Sequence, residues 1–167
     1  MIPPRFISSI LIALALTTGC GKLAAQAPAP AMPAKFQVDI DAIAGTGFTV
    51  ALEGDHLVYT TFKSGKRLNK VRKVQPTAEQ WQTFWNEMNA IDIWHWSAKY
   101  APSAAVEGGT QWDATIEGGG HSIKSEGGNA YPSDEDPAKS GPDKQFTKRY
   151  IKFYNAVLHL VGETSSD

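Results

Sequence analysis

From residue 36 onward the apolar positions follow two rhythms. "FQVDID" (36–41) alternates apolar and polar side chains, the period of a strand with one face buried. "FTVALEGDHLVYTTF" (48–62) does the same, with Phe48, Val50 and Leu52 on one face and Gly54-Asp55 as a tight turn, so it predicts a hairpin. "RLNKVRKVQ" (67–75) predicts a further, basic strand that Pro76 ends. The rhythm then lengthens. Thr77 with Gln80 forms a capping-box pattern, and Trp81, Phe84, Trp85, Met88 and Ile91 fall on one face of the helix that follows.

Alternation returns in "TQWDATIE" and "HSIKSEGG", joined at Gly118-Gly119-Gly120 as a second hairpin. Trp112, Ala114 and Ile116 point to one side, and Asp113, Thr115 and Glu117 to the other, so the outer face shows Asp113, Thr115, Lys124 and Glu126. A last helix buries Phe146, Tyr150, Phe153, Tyr154, Val157, Leu158 and Val161 and stops at Gly162. "GTGFTVALEGDH" from Gly45 and "GTQWDATIEGGGH" from Gly109 share a Gly-Thr-x-aromatic start and a Glu-Gly turn, the pattern of a duplicated ββα unit with Phe48 and Trp112 as equivalent core residues. The expected fold is α+β and two-layered. An antiparallel sheet of about four to six strands carries both helices on one face.

The first 35 residues follow neither rhythm. Arg5 precedes the apolar run "FISSILIALAL", which is short for a bilayer span and ends in "LTTGC". This segment resembles the lipobox of bacterial lipoproteins, with Gly19 before Cys20, although Thr17 stands where the family usually has leucine. The resemblance implies that residues 1–19 are a signal peptide and that Cys20, the chain's one cysteine, receives the lipid (palmitate among its acyl chains). Gly21 follows where an aspartate would retain a lipoprotein at the inner membrane, so the resemblance implies the outer membrane, facing the periplasm. Each buried methylene adds roughly 0.8 kcal/mol, and more than one acyl chain anchors stably. Residues 20–35, with "APAPAMPAK", read as an Ala/Pro-rich tether that reaches about 45 Å when extended. One domain (36–162) and a short disordered tail (163–167) complete the expected organisation.

Loss of Arg5 with the signal leaves 15 basic against 17 acidic residues, a near-neutral balance that offers nucleic acid no attraction. With Cys20 committed to lipid, the domain has no thiol for a disulfide, a metal or a nucleophile. His56, His95, His121 and His159 show no HExxH spacing, and the consecutive Asp134, Glu135 and Asp136 lack the alternate spacing of a calcium loop, so neither metal nor cofactor is expected. No Gly-x-Ser-x-Gly elbow appears.

The acids between Pro132 and Pro137 read as a solvated, poorly ordered loop. Just before it, Gly127, Gly128 and Asn129 are expected to turn the chain by positive φ, with Tyr131 buried beneath the last helix as a structural corner. Trp94, His95, Trp96 and Tyr100 form the candidate binding surface, since aromatics beside a loop can hold a glycan or an envelope protein, and His95 between two indoles is expected to be partly buried.

"GGTQWDATIEGGGHSIKSEGGNAYP" (108–132) and the helix after it resemble uncharacterised bacterial exported domains. That resemblance implies a fold and carries no activity. The function expected is therefore a non-catalytic binding or accessory domain, with a small hydrolase of envelope polymers as the alternative. Labelling cells with a radioactive fatty acid tests the anchor: Cys20→Ser is expected to abolish incorporation, and label that persists refutes it.

Overall fold

The computed structural model describes residues 32–42, 46–63, 66–105 and 108–164. The lipobox around Cys20 and the tether up to residue 31 lie outside them. The strands are β1 (Lys35–Ala42), β2 (Thr46–Glu53), β3 (His56–Lys63), β4 (Lys66–Val74), β5 (Lys99–Tyr100), β6 (Thr110–Gly118) and β7 (His121–Gly128). The helices are α1 (Ala78–Ala90) and α2 (Lys148–Leu160), and a 3-10 turn spans Ile93–His95. The strands make one sheet in the order β4-β3-β2-β1-β6-β7-β5. All neighbours are antiparallel except β5, which lies parallel to β7.

The fold is α+β, as the patterning predicts, but among the described residues the sheet has seven strands rather than four to six. The additional strand is β5, whose two residues are too few to show any period.

Both helices cover the same face. Phe36 meets Trp81 and Phe84 of α1 at ring-centre distances of 5.9 and 5.5 Å. Phe48 meets Tyr154 of α2 at 5.4 Å, and Trp112 meets Tyr150 at 5.3 Å. Alternation explains the layer between: Phe36, Val38, Ile40, Phe48, Val50, Trp112, Ala114 and Ile116 are all buried beneath the helices. Side chains of this size contribute roughly 1.5–3 kcal/mol each when fully buried. α1 starts at the expected capping box, with Thr77 Oγ1 accepting from the Gln80 N–H at 3.2 Å.

β1 sits at the centre, so β2 and β6 flank it and run the same way. Phe48 and Trp112 both pair with Ile40, from opposite sides. Yet β3 lies to the left of β2 when β7 lies to the right of β6. The two hairpins are thus of opposite hand with their core residues on one face, and no rotation superposes them. A duplicated ββα unit would need hairpins of the same hand, so the shared Gly-Thr and Glu-Gly motifs reflect common turn chemistry.

The corner after β7 differs in detail from expectation. Asn129 has a left-handed backbone, φ 51°, but Gly127 and Gly128 lie within β7 and have no positive φ. Gly127 is required by close approach: a Cβ there would sit 2.5 Å from Trp112 Nε1 and 2.4 Å from the Ala130 carbonyl oxygen. Tyr131 is 2% exposed, as expected, with ring centres of Phe146 and Tyr150 at 4.9 and 4.5 Å. Phe146 itself is 56% exposed, because it precedes the Thr147 cap of α2 and never joins the helix's buried stripe.

The acidic loop is built rather than loose. The Ser133 N–H donates to the Lys139 carbonyl at 2.9 Å, and the Gly141 N–H to that of Tyr131 at 2.8 Å. The Asp134 carboxylate accepts from the backbone N–H groups of Lys148 and Arg149 at 3.1 and 2.7 Å, where a negative charge suits the first turn of α2. The Arg149 guanidinium donates to the carbonyls of Ile91, Ser133 and Asp134, tying the end of α1 to the loop and to α2. Opposing charge and proline content is a dense set of local hydrogen bonds, which residue composition does not reveal.

At the other end of the sheet, β4 is the edge strand, and it carries Lys66, Arg67, Lys70, Arg72 and Lys73. Arg72 bonds the Val161 carbonyl at 2.6 Å and pairs with Glu163 at 2.8 Å, so the ordered fold runs past the Gly162 stop.

Tyr131→Ala is expected to lower the unfolding free energy by roughly 2–4 kcal/mol, within the usual range for a truncated buried aromatic. Urea denaturation checks this, and an unchanged midpoint would contradict the buried corner.

Candidate functional site

The four aromatic-loop candidates do not share a surface. A left-handed Asp92, φ 54°, ends α1 and starts the 3-10 turn, which sends successive side chains in different directions. Trp96 and Tyr100 go into the core, 6% and 1% exposed. Trp96 meets Trp112 and Phe153 edge-on at 5.9 and 5.3 Å. The Tyr100 hydroxyl donates to the Pro137 carbonyl and accepts from the Ser97 N–H at 2.8 Å. Burial pushes the Tyr100 pKa up to about 12. His95, expected to be partly buried, is exposed, with Nδ1 2.6 Å from Asp92 Oδ1.

Trp94 is half-buried in a stacked row. Trp81, Trp85, Trp94 and His121 follow one another at ring-centre distances of 6.1, 6.1 and 5.0 Å, each pair within 25° of parallel. The Trp94 indole N–H donates to Asn89 Oδ1 at 2.7 Å. Trp94 thus spends its ring on stacking with two other rings of the domain, Trp85 and His121. The row pins the tip of the β6–β7 hairpin to α1. Gly118 permits it, since a Cβ there would sit 2.9 Å from the Trp85 ring.

The chemistry that register assembles lies on the other face of the sheet. Cross-strand pairing sets Thr60, Thr49, Asp39, Asp113, Glu126 and Lys99 side by side across six strands. Asp39 Oδ1 accepts from Thr49 Oγ1 and Oδ2 from Gln37 Nε2, both at 2.5 Å. At the far end Lys99 Nζ lies 3.7 Å from Glu126. Asp113 stands between two carboxylates, Asp39 on one strand and Glu126 on the next. Partial desolvation raises its pKa, reinforced by Asp39 and Glu126 and opposed by Lys124. Like charges directly opposite on neighbouring strands destabilise a sheet. A hollow of about 390 Å³ lies beside this row, bordered by Asp41, Gln111 and the rims of Tyr100 and Trp112.

Such a row attracts hydrogen-bond donors and positive charge. Among the described residues, no three His, Asp or Glu side chains are grouped closely enough to hold a metal ion. Asp113 and Glu126 are visible in advance as outer-face residues of the second hairpin, but Asp39 and Asp41 read only as the polar phase of β1. Their meeting depends on β1 pairing with β6 across about seventy intervening residues, and hydrophobic period does not encode strand order. No helix among the described residues is long and apolar enough to cross a membrane.

No family model, curated protein or solved structure matches the chain.

The raised Asp113 pKa carries a sign for stability. Ionising a carboxyl whose folded pKa lies above its ordinary 3.8 costs folding free energy, so its contribution is favourable at low pH and lost as pH rises through the folded value. Asp113→Asn is therefore expected to raise the urea midpoint at pH 7 and to leave it unchanged well below pH 3.8, where the carboxyl is protonated in both states. A midpoint that falls at pH 7 would contradict the crowded row.

Proposed function

We propose that this chain is a lipid-anchored lipoprotein of the bacterial cell envelope, held through Cys20 at the outer membrane and facing the periplasm, whose α+β domain is a non-catalytic binding or accessory module. The support for the anchor is the lipobox-like "LTTGC" followed by an Ala/Pro-rich tether. The single observation that carries the binding reading is the carboxylate row on the sheet face away from the helices, where Asp39, Asp113 and Glu126 stand in register and Lys99 pairs with Glu126 at its end. The recognised group is then a donor-rich one, either the amino-bearing surface of an envelope protein or the hydroxyls and amines of a glycan.

A second reading is a small hydrolase of envelope polymers. It draws on the neighbouring Asp39 and Asp113, because a carboxyl with a raised pKa beside a second carboxylate is the ingredient of general acid–base work. The hollow is partly open to solvent, which favours recognition over chemistry, since hydrolysis profits from a water-excluding cleft.

The two separate in one experiment. The purified protein is incubated with cell-wall fragments and with detergent-solubilised envelope extract, as wild type and as Asp39→Asn and Asp113→Asn. The expected result is retention of a fragment or protein that both substitutions weaken, with every fragment recovered intact. Fragment cleavage abolished by either substitution overturns the binding reading, and retention unchanged by both removes the sheet face from it.

A further inference from the structure

A second pocket lies on the opposite side of the sheet, where α2 crosses the ends of β1, β2 and β6. It is a groove of about 290 Å³ between Ile40, Thr46 and Thr110 on the sheet and Tyr150, Tyr154 and Asn155 on the helix. Phe146 and Ile151 stand at its rim, 56% and 44% exposed. Large exposed apolar side chains are few among the described residues, and two of them meet here.

Two residues that line the groove carry buried polar atoms with no hydrogen-bond partner. Tyr150 is 1% exposed, yet its hydroxyl has no hydrogen-bond partner, and neither does the buried Oδ1 of Asn155. The neighbouring Thr147 hydroxyl, by contrast, is fully used: Oγ1 bonds the Pro132 carbonyl at 2.7 Å and accepts from the Tyr150 N–H at 3.2 Å. A phenylalanine at position 150 would keep the contacts with Trp112, Tyr131 and Phe146 and avoid the lone hydroxyl. Burial raises the Tyr150 pKa well above the usual tyrosine value, with Tyr131 and Tyr154 reinforcing the effect, so the hydroxyl keeps its proton and offers a donor. Asn155 Oδ1 offers an acceptor.

The geometry points to a binding site for a small neutral amphiphile: an alkyl or acyl chain headed by a group that donates and accepts hydrogen bonds together, as a primary amide does. The chain lies along Ile40, Phe146 and Ile151. The head accepts from the Tyr150 hydroxyl and donates to Asn155 Oδ1, which requires the exposed rim side chains Phe146 and Ile151 to swing aside, since both polar atoms are covered in the empty groove. None of the lining side chains is charged, and an ionised head placed in this setting would lack a counter-charge, which excludes carboxylates and amines. At roughly 30 Å³ for each non-hydrogen atom, the groove takes about ten of them.

Octanamide has that size and chemistry, and N,N-dimethyloctanamide keeps the chain and the carbonyl but loses both N–H donors. The full chain, made with Cys20→Ser so that it carries no acyl group, is titrated with each by calorimetry. Octanamide is expected to saturate one site. Affinity is expected to fall about tenfold for the dimethyl compound and about tenfold for octanamide on Tyr150→Phe, the usual worth of one buried hydrogen bond. Tyr150→Phe removes only an unpaired hydroxyl, so its urea midpoint is expected to match or exceed that of the parent and separates lost binding from lost fold. Non-saturable uptake, equal affinity for the two amides, or unaltered affinity in Tyr150→Phe would each overturn the site as a merely apolar crevice.

Discussion

The indole of Trp112 is the constraint around which the domain closes. It lies on the strand beside the central one, paired with Ile40, and takes Trp96, Tyr100, Tyr150 and Phe153 around its ring. Those neighbours come from the turn after α1, from β5 and from α2, so one side chain gathers every layer. An indole buried this deeply needs a partner for its N–H, and the Ala130 carbonyl supplies it at 3.0 Å. That bond fixes where the chain leaves β7. Gly127 has no side chain because the indole passes there, and Asn129 takes a left-handed backbone so that Ala130 faces back toward the ring. Tyr131 and the start of α2 then follow.

Much of this was legible in the residues. The alternation in residues 36–41, 48–62 and 110–128 marks strands, the Thr77–Gln80 pair marks the start of α1, and Gly162 marks the end of α2, where the Glu163 N–H returns to the Leu158 carbonyl at 2.9 Å. What escaped was non-local. β5 exists because β7 offers it an edge, and two residues carry no period. The acidic stretch looked solvated because composition counts charges, whereas Asp134 is placed by two specific N–H groups of α2. Trp94 and Trp96 looked alike in sequence, and one left-handed residue, Asp92, separates them into a stacked row and a core.

The carboxylate row was half legible. A strand pattern shows which residues share a face, and so it exposes Asp113 with Glu126. It does not show which strand becomes the neighbour. That the first strand of the domain inserts between two later hairpins is a consequence of global packing, and it alone sets Asp39 against Asp113. The fold accepts repulsion there while it places the hydrogen bonds from Thr49 and Gln37 on Asp39 only. The row and the groove beneath α2 lie on opposite sides of one sheet, so a ligand on either is separated from the other by a single layer of backbone.

The basic edge strand has a consequence for colloidal behaviour. An open sheet ends in a line of unpaired backbone donors and acceptors, and a second sheet edge can add to it. β4 has lysine or arginine at five of its nine sequence positions, an excess of positive charge that opposes edge-to-edge pairing with a second β4. The same charge that marks β4 as a basic strand in the sequence thus guards the open end of the sheet against growth, copy upon copy, into a longer one.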